Sequence, residues 1–437
     1  MPVMILLGID IGTTVLKAAT FNRKTGKILA SAGERLKVSV GNDGKREQDP
    51  ATVSRALKKI LREMESTLGK DWKKIEGIGL ATQGGSTIIV DRDTGDPKTP
   101  MALWNDARAF PQFHRIAESK PPAYWRKFSL RDEPGMGLAR IEWLRGLSPE
   151  LIHDQNLYVG IGEWVYHRLT GQWKQDACNA LQIGCYDVHS RELTDKPLKA
   201  RGIYTSFFAP MRKSHESSPL TKTAAAELGL PEGIPVLGPY NDHEAGYLSV
   251  AQVSKNPLEC SLGTAWVGNF QLPLESPGRS PFQLAIPSPL GKGRLIIQPL
   301  LTGNVTWDWA LEIFVHANHR KALDLQAKVF EKSLLPPEGL IGLPWVNRPN
   351  PFSPDINGAG CLIGTNPSTS KEDLLRAVAA GMCYELARVF ERVKEEKKVD
   401  SVVLCGGASR GHVFQQMIAS LFSPLPVYRI LDEVAMG

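Results

Sequence analysis

The chain has no P-loop: G-x-x-x-x-G-K-[ST] occurs nowhere in it, so any phosphate cradle has to be built another way. It has no C-x-x-C pair either. Its six cysteines (178, 185, 260, 361, 383 and 405) stand apart in mostly apolar surroundings. Buried free thiols in a reducing compartment are expected from that spacing, ahead of disulfides or zinc ligands. No apolar run approaches the ~18–20 residues that a membrane helix needs. The opening MPVMILLGID lacks a basic leader and is interrupted by Asp10, so a buried strand is expected there rather than a signal peptide. Charge of one sign is scarce too, with a formal net charge of +6 over 437 residues. The densest basic run, RVKEEKKV at 392–399, is interleaved with acids and reads as a solvated helix face. A cytoplasmic protein that binds neither nucleic acid nor membrane is expected.

What is present is a globular composition, 42% hydrophobic and 22% charged, on a chain long enough for two or three domains. Residues 4–40 alternate short apolar runs (MILLGID, VLKAATFN, KILASAGERLKVSV) with glycine turns, which predicts an antiparallel meander. In DPATVSRALKKILREMEST, Val53, Leu57, Ile60, Leu61 and Met64 recur at helical spacing, behind an Asp49 cap and a first-turn Pro50. IEGIGLAT and STIIVDRDTGDP read as strands, and residues 104–180 as a helical, Trp-rich region. A second half opens near GIPVLGPYND (233–242), with its strand expected to end at Gly238-Pro239. A strand–turn–strand follows in ECSLGTAWVGNFQL (259–272), then helices at 305–333 and 370–397. Last comes VVLCGGASR, a buried strand, a glycine turn and a helix from about Ser409. Two α/β lobes are predicted, each opening on a glycine-threonine hairpin.

Three turns carry candidate chemistry. Asp10 sits inside an apolar strand just before Gly12, Thr13 and Thr14, where a buried carboxylate needs a cation or donors. Such a turn suits a phosphate with magnesium beside it, and equally a plain hairpin. Gly263-Thr264 forms a similar turn, and Gly406-Gly407 follows a buried strand where a flat ligand or an anion has room to approach. The segment GPYNDHEAGYL groups Asp242, His243 and Glu244 at a helix start. Adjacent helical residues point about 100° apart, so these three cannot converge on one metal. Glu244 then reads as a first-turn acid and His243 as packing. His316 and His319 in HANH have i,i+3 spacing but no third ligand, and read as surface or core.

Taken in order, D-x-G-T-T near residue 10, G-T near 264 and strand-GG-helix near 406 resemble the actin-like ATPase superfamily, and within it the FGGY carbohydrate kinases. EQDP at 47–50 leads a helix as in that family. The segment TQGGSTIIVDRDTGDPKTPMALWNDARA (82–109) is similar to its sugar-side stretch, ending in W-x-D-x-R at Trp104, Asp106 and Arg108. GLPWVNRPNPFSPDINGAG (342–360) resembles a further family stretch loosely. The resemblance implies an α/β fold of two ribonuclease-H-like (actin/hexokinase-like) lobes, 1–237 and 238–437, with a cleft between them. It implies ATP and Mg2+ as cofactors and phosphorylation of a sugar hydroxyl.

By the same resemblance Asp242 is the catalytic base. Gly12, Thr13, Thr14, Gly263 and Thr264 cradle phosphates, while Gly303, Gly406 and Gly407 border the adenosine. Asp10 organises magnesium or the sugar hydroxyl, and Gln83, Ser86, Trp104, Asn105, Asp106 and Arg108 face the sugar. A ketopentose such as D-xylulose or D-ribulose is the expected substrate, with a polyol or another sugar as the alternative. A non-catalytic nucleotide- or sugar-binding regulator on the same scaffold is the other class. Xylulokinases of the family carry Gln-Met-His-Gly where this chain has Gln83, Gly84, Gly85 and Ser86, which puts D-ribulose, another ketose or a polyol on a level with D-xylulose. A homodimer stays open as the assembly. The chain stops at DEVAMG, where relatives continue, so a compact version or a missing tail is expected.

Overall fold

The computed structural model describes residues 4–263, 265–275, 283–291, 293–300, 302–316, 325, 328–346, 360–396 and 399–430. The chain divides between Gly246 and Tyr247 into two compact units, each built on one six-stranded sheet.

In the first unit the predicted meander forms as β1 (Ile5–Ile11), β2 (Val15–Asn22) and β3 (Ile28–Arg35), paired antiparallel. β1 also runs parallel to β4 (Ile75–Thr82), and β4 parallel to β6 (Pro235–Asn241). The short β5 (Ser217–Pro219) closes that edge against β6. Ile5, Leu7, Ile9 and Ile11 are all buried, as a strand paired on both sides under helices demands. Helix α1 (Pro50–Leu68) covers one face with Val53, Leu57, Ile60, Leu61 and Met64, the five positions its spacing predicts. Asp49 caps it, accepting from the Ala51 N–H at 2.9 Å. A second core, around Trp125, Ile141 and Phe208, lies beneath α2 (Met136–Leu147). α3 (Ile161–Thr170) and α4 (Ala177–Ile183) complete the parts used below.

Two expectations need correction here. β6 does not end at Gly238-Pro239 but continues to Asn241, shifting register against β4 between Leu237 and Tyr240. Gly238 has φ 120, and a Cβ there would lie 2.6 Å from the Leu80 carbonyl oxygen, so glycine lets the irregular strand stay against β4. The expected boundary at 237/238 therefore falls inside a strand of the first sheet. The chain leaves that unit nine residues later, within helix α5 (Asp242–Val250).

The second unit repeats the strand plan. β7 (Pro257–Leu262) and β8 (Trp266–Leu272) form the second hairpin. β9 (Leu284–Pro287) and β10 (Arg294–Pro299) extend it on the β8 side. On the other side β7 runs parallel to β11 (Ser401–Cys405), and β11 to β12 (Val427–Arg429). Both sheets thus join a run of antiparallel strands, three in the first sheet and four in the second, to parallel strands through the first strand of that run. α6 (Asn304–Val315), α7 (Lys371–Glu396) and α8 (His412–Phe422) pack around this sheet. The last helix starts at His412 rather than near Ser409, because a 3-10 turn, Gly407–Arg410, intervenes. Five of the six cysteines are buried free thiols and Cys361 is exposed. Among the described residues no helix is long and apolar enough to cross a membrane.

Candidate active site

The parallel pairing of β1, β4 and β6 brings three chain segments to one sheet edge. Asp10 is in register with Ala81, Ile11 and Asn241 with Thr82, and the Gln83 N–H donates to the Ile11 carbonyl at 2.8 Å. Asp10, Gln83 and Asp242 therefore gather where these strands end, the usual place for a ligand on an open α/β sheet.

Asp242 is half-buried at the first position of α5, and its Oδ1 accepts the His243 N–H at 2.9 Å. Among the described residues no other hydrogen bond engages its carboxylate. Glu244 lies in the first turn of α5 as expected, and it is buried there, its Oε2 accepting the Asn241 N–H at 3.2 Å and pinning the strand–helix junction. It also bonds to Asp176, itself buried at the cap of α4, where it accepts the Asn179 N–H at 2.6 Å. Burial raises both carboxyls, and the Asp176 charge adds to that at Glu244, which lies well above the carboxylate range. Glu163, the third buried acid here, is pushed up to about 8 by burial and then by Asp176. Glu244 was singled out in the sequence, but the burial and mutual contact of Glu244, Asp176 and Glu163 were not legible because the three lie far apart along the chain; only the Glu three residues beyond Gly160 hinted at a cap.

The Gly12 hairpin is tied to this edge. Thr13 Oγ1 donates to Gln83 Oε1 at 2.7 Å and accepts from Trp104 Nε1 at 3.2 Å, while Gln48 Nε2 donates to the Thr13 carbonyl at 2.7 Å. The Thr13 hydroxyl is thus spent on the scaffold. The backbone N–H groups of Thr13 and Thr14 and the exposed Thr14 hydroxyl carry no hydrogen bond, so the donors left for a phosphate are these. The fit to magnesium is a single carboxylate, Asp10, which suits an ion that keeps several waters and otherwise binds phosphate oxygens. Among the described residues no group of three His, Cys, Asp or Glu side chains is arranged for a metal.

Three of the expected sugar-facing side chains turn inward. Ser86 is buried and its Oγ accepts the Ile161 N–H at 3.0 Å, serving the start of α3. Asp106 is buried and accepts from the Arg46 N–H at 2.8 Å, the Arg108 N–H at 3.1 Å and the Arg108 guanidinium at 2.6 Å. Burial alone would raise its carboxyl; the Arg108 side chain and the two backbone donors outweigh that and hold it below its ordinary value. Arg108 also reaches Glu47 at 2.6 Å and lies over the Trp143 ring at 4.5 Å. Both oxygens of Asp106 and the Nε and Nη2 of Arg108 are occupied, so these residues shape the 101–108 loop. Trp104 and Asn105 remain exposed at its tip.

Arg140, which sequence reading passed over, holds the site loops together. It is buried without a direct carboxylate partner and donates to the carbonyls of Gly85, Leu103 and Trp104 and to Thr87 Oγ1 at 3.0 Å. One guanidinium fixes both the 83–87 and the 101–108 segments. With Gly85, Ser86, Trp104, Tyr158, Asn179 and Gln182 it lines a small cavity.

At the corresponding edge of the second sheet, the Asn304 N–H donates to the Gly263 carbonyl at 3.2 Å and Asn304 Nδ2 to the Leu262 carbonyl at 3.3 Å. Gly406 has φ 83, and a Cβ there would lie 2.8–3.0 Å from the Leu262 backbone. Gly263, Gly303, Gly406 and Gly407 thus meet around the N-terminus of α6, an edge stripped of side chains and suited to a flat base or a phosphate. Thr264, His319 and residues 347–359 of the stretch at 342–360 lie outside the described residues.

Residues 5–249 match the FGGY family of carbohydrate kinases, N-terminal domain, and residues 300–437 its C-terminal domain. The chain belongs to this family. The FGGY chain is a carbohydrate kinase, a phosphotransferase with an alcohol group as acceptor, and uses ATP. The xylulose kinase of Bacillus subtilis (strain 168) is 24% identical over 424 residues, 96% of this chain and 83% of its own length. The gluconokinase of the same organism is 23% identical over 435 residues, covering 95% and 82%. The glycerol kinase of Aquifex aeolicus (strain VF5) is 26% identical over 456 residues, covering 99% and 88%. The xyloylose kinase from Brucella ovis superposes with a TM-score of 0.84 at 20% identity, over 99% of this chain and 88% of that one. The expected α/β fold of two sheet-containing, actin/hexokinase-like units is therefore this protein's fold.

Proposed function

We propose that this kinase phosphorylates a hydroxyl of a ketopentose of the D-xylulose or D-ribulose kind, with Asp242 as the base. The observation that carries the reading is the state of Asp242. Among the three acids at the junction after β6, Asp242, Glu244 and Asp176, it alone is half-exposed, with an oxygen free of hydrogen bonds. The sugar oxygen attacks the γ-phosphorus, forming an O–P bond as the bond to the β-phosphate oxygen breaks. ADP departs with that electron pair, and the hydroxyl proton passes to Asp242 and then to solvent. A loose transition state asks the base mainly for position, which the Glu244 anchor on the Asn241 N–H supplies.

The Thr13 and Thr14 N–H groups and the turn at Gly12 receive phosphate oxygens, and the edge at Gly263, Gly303, Gly406 and Gly407 receives the nucleotide, with Thr264 assigned beside it. Asp10 would hold a magnesium ion, which would supply positive charge against the phosphate oxygens. Trp104, Asn105 and Gln83 face the sugar; Ser86, Asp106 and Arg108 support them.

The test measures ADP release from wild-type and Asp242→Asn protein over ketoses, aldoses, aldonates and polyols. Xylulose and ribulose are expected to give the highest kcat/KM, with kcat about 10²–10⁴-fold lower in Asp242→Asn. Highest kcat/KM on gluconate or glycerol would replace the substrate class. Sugar-dependent turnover that survives intact in Asp242→Asn would remove Asp242 as the base, and no sugar-stimulated ADP release at all would turn the reading toward a binding protein.

A further inference from the structure

Gly84 and Gly85 sit at the sheet edge next to Gln83, and the space beyond them is taken by a residue from elsewhere. A Cβ on Gly84 would lie 2.6 Å from Gln182 Nε2 and closer still to Asn241 Nδ2; one on Gly85 would overlap Gln182 Oε1 and come 3.5 Å from the Trp104 Cβ. Gln182 reaches this space from α4, 97 positions along the chain from Gly85. Its Oε1 carries no hydrogen bond, and its Nε2 meets only the Cys178 sulfur at 3.4 Å. The side chain is part-exposed in the cavity it shares with Gly85, Trp104 and Asn179. Asn241, the residue before Asp242, borders the same space.

We propose that Gln182 is a specificity-determining residue for the sugar, its carboxamide standing over Gly84-Gly85 and bonding a hydroxyl of the acceptor. The carboxamide both donates and accepts, as a sugar hydroxyl does, and both of its polar ends lack a strong partner among the described residues. The two glycines are what allow it to be there, because any side chain at 84 or 85 would claim the same volume. The neighbouring Arg140 keeps the Gly85 carbonyl, and with it the glycine pair, in place. The ligand class is a small neutral polyhydroxylated molecule. This deepens the kinase reading above and rests on it for the identity of the acceptor.

The test compares wild type with Gln182→Ala, Gln182→Met and Gln182→Glu in two readouts: KM and kcat over the sugar panel, and the shift in melting temperature that saturating sugar produces without ATP. For the best substrate, KM is expected to rise about tenfold in Gln182→Ala and Gln182→Met, the loss of one hydrogen bond, with kcat changed less than threefold. Gln182→Glu, which keeps the length and the accepting oxygen, is expected to fall between. In Gln182→Ala the preference should also move toward larger panel members. Folding is checked by the melting temperature without ligand, and Gln182→Glu keeps the test informative if the alanine variant unfolds. KM values and sugar-induced shifts within twofold of wild type in all folded variants overturn the proposal. The thermal readout does not depend on Asp242, so a failed base assignment and a failed role for Gln182 give different results.

Discussion

At the scale of single residues, the 101–108 loop is organised by charges that bind within the chain. Asp106 binds two backbone N–H groups and the Arg108 guanidinium, and Arg108 goes on to Glu47 and the Trp143 face. The motif W-x-D-x-R was legible in sequence, but not the direction in which its members point, because Glu47 and Trp143 are set by tertiary packing. Asp106→Asn keeps the shape and loses the charge-assisted bonds. It is expected to lower unfolding stability by on the order of 2 kcal/mol in urea and to raise the sugar KM by displacing Trp104 and Asn105. The Asp106 carboxyl is held low, so its contribution is present above the ordinary carboxylate value and is lost as pH falls through the depressed one. The destabilisation by Asp106→Asn should therefore shrink toward acid pH. An equal effect at all pH values would make Asp106 a packing residue.

At the scale of elements, what the sequence shows best is what depends on near neighbours. The first helix was readable from Asp49, Pro50 and its five apolar positions because a cap and a 3.6-residue period are local properties. Asp49→Ala removes the acceptor for the Ala51 N–H and is expected to cost about 1 kcal/mol of unfolding free energy in urea while leaving KM for ATP and sugar unchanged. The Arg55 partner at 3.5 Å is exposed, so removing that ion pair adds little. A cost near zero would mean that water satisfies the helix end. By contrast, the continuation of β6 through Gly238-Pro239 and the 3-10 turn before α8 were not readable. Glycine and proline mark turns when nothing else decides, and here a neighbouring strand does: β4 pairs with β6 on both sides of the register shift.

For the whole molecule, the repeated glycine-threonine hairpins pointed to two sheets of one plan, and that plan follows from strand pairing alone. The units part nine residues beyond the expected position because the strand leading to Asp242 belongs to the first sheet. The buried acids beneath that strand were also out of reach, although they bear on the stability of the entire chain. Glu163 is pushed up to about 8 from the ordinary 4.5, first by burial and then by Asp176, against the partial relief of the Gly160 N–H at 2.7 Å. A carboxyl raised by folding contributes stability that is fully present below 4.5 and is lost as pH climbs through about 8. Glu163→Gln stays neutral throughout and still offers an oxygen to the Gly160 N–H. Its melting temperature is therefore expected to match wild type near pH 4.5, to exceed it increasingly up to about pH 8, and to keep a constant lead above that. Asp176 and Glu244 are common to both proteins, so their own titration enters the difference only through their coupling to Glu163. Parallel melting curves from pH 5 to 9 would show that Glu163 is solvated or charged in the folded chain. The Asp242 junction would then rest on Glu244 and Asp176 alone.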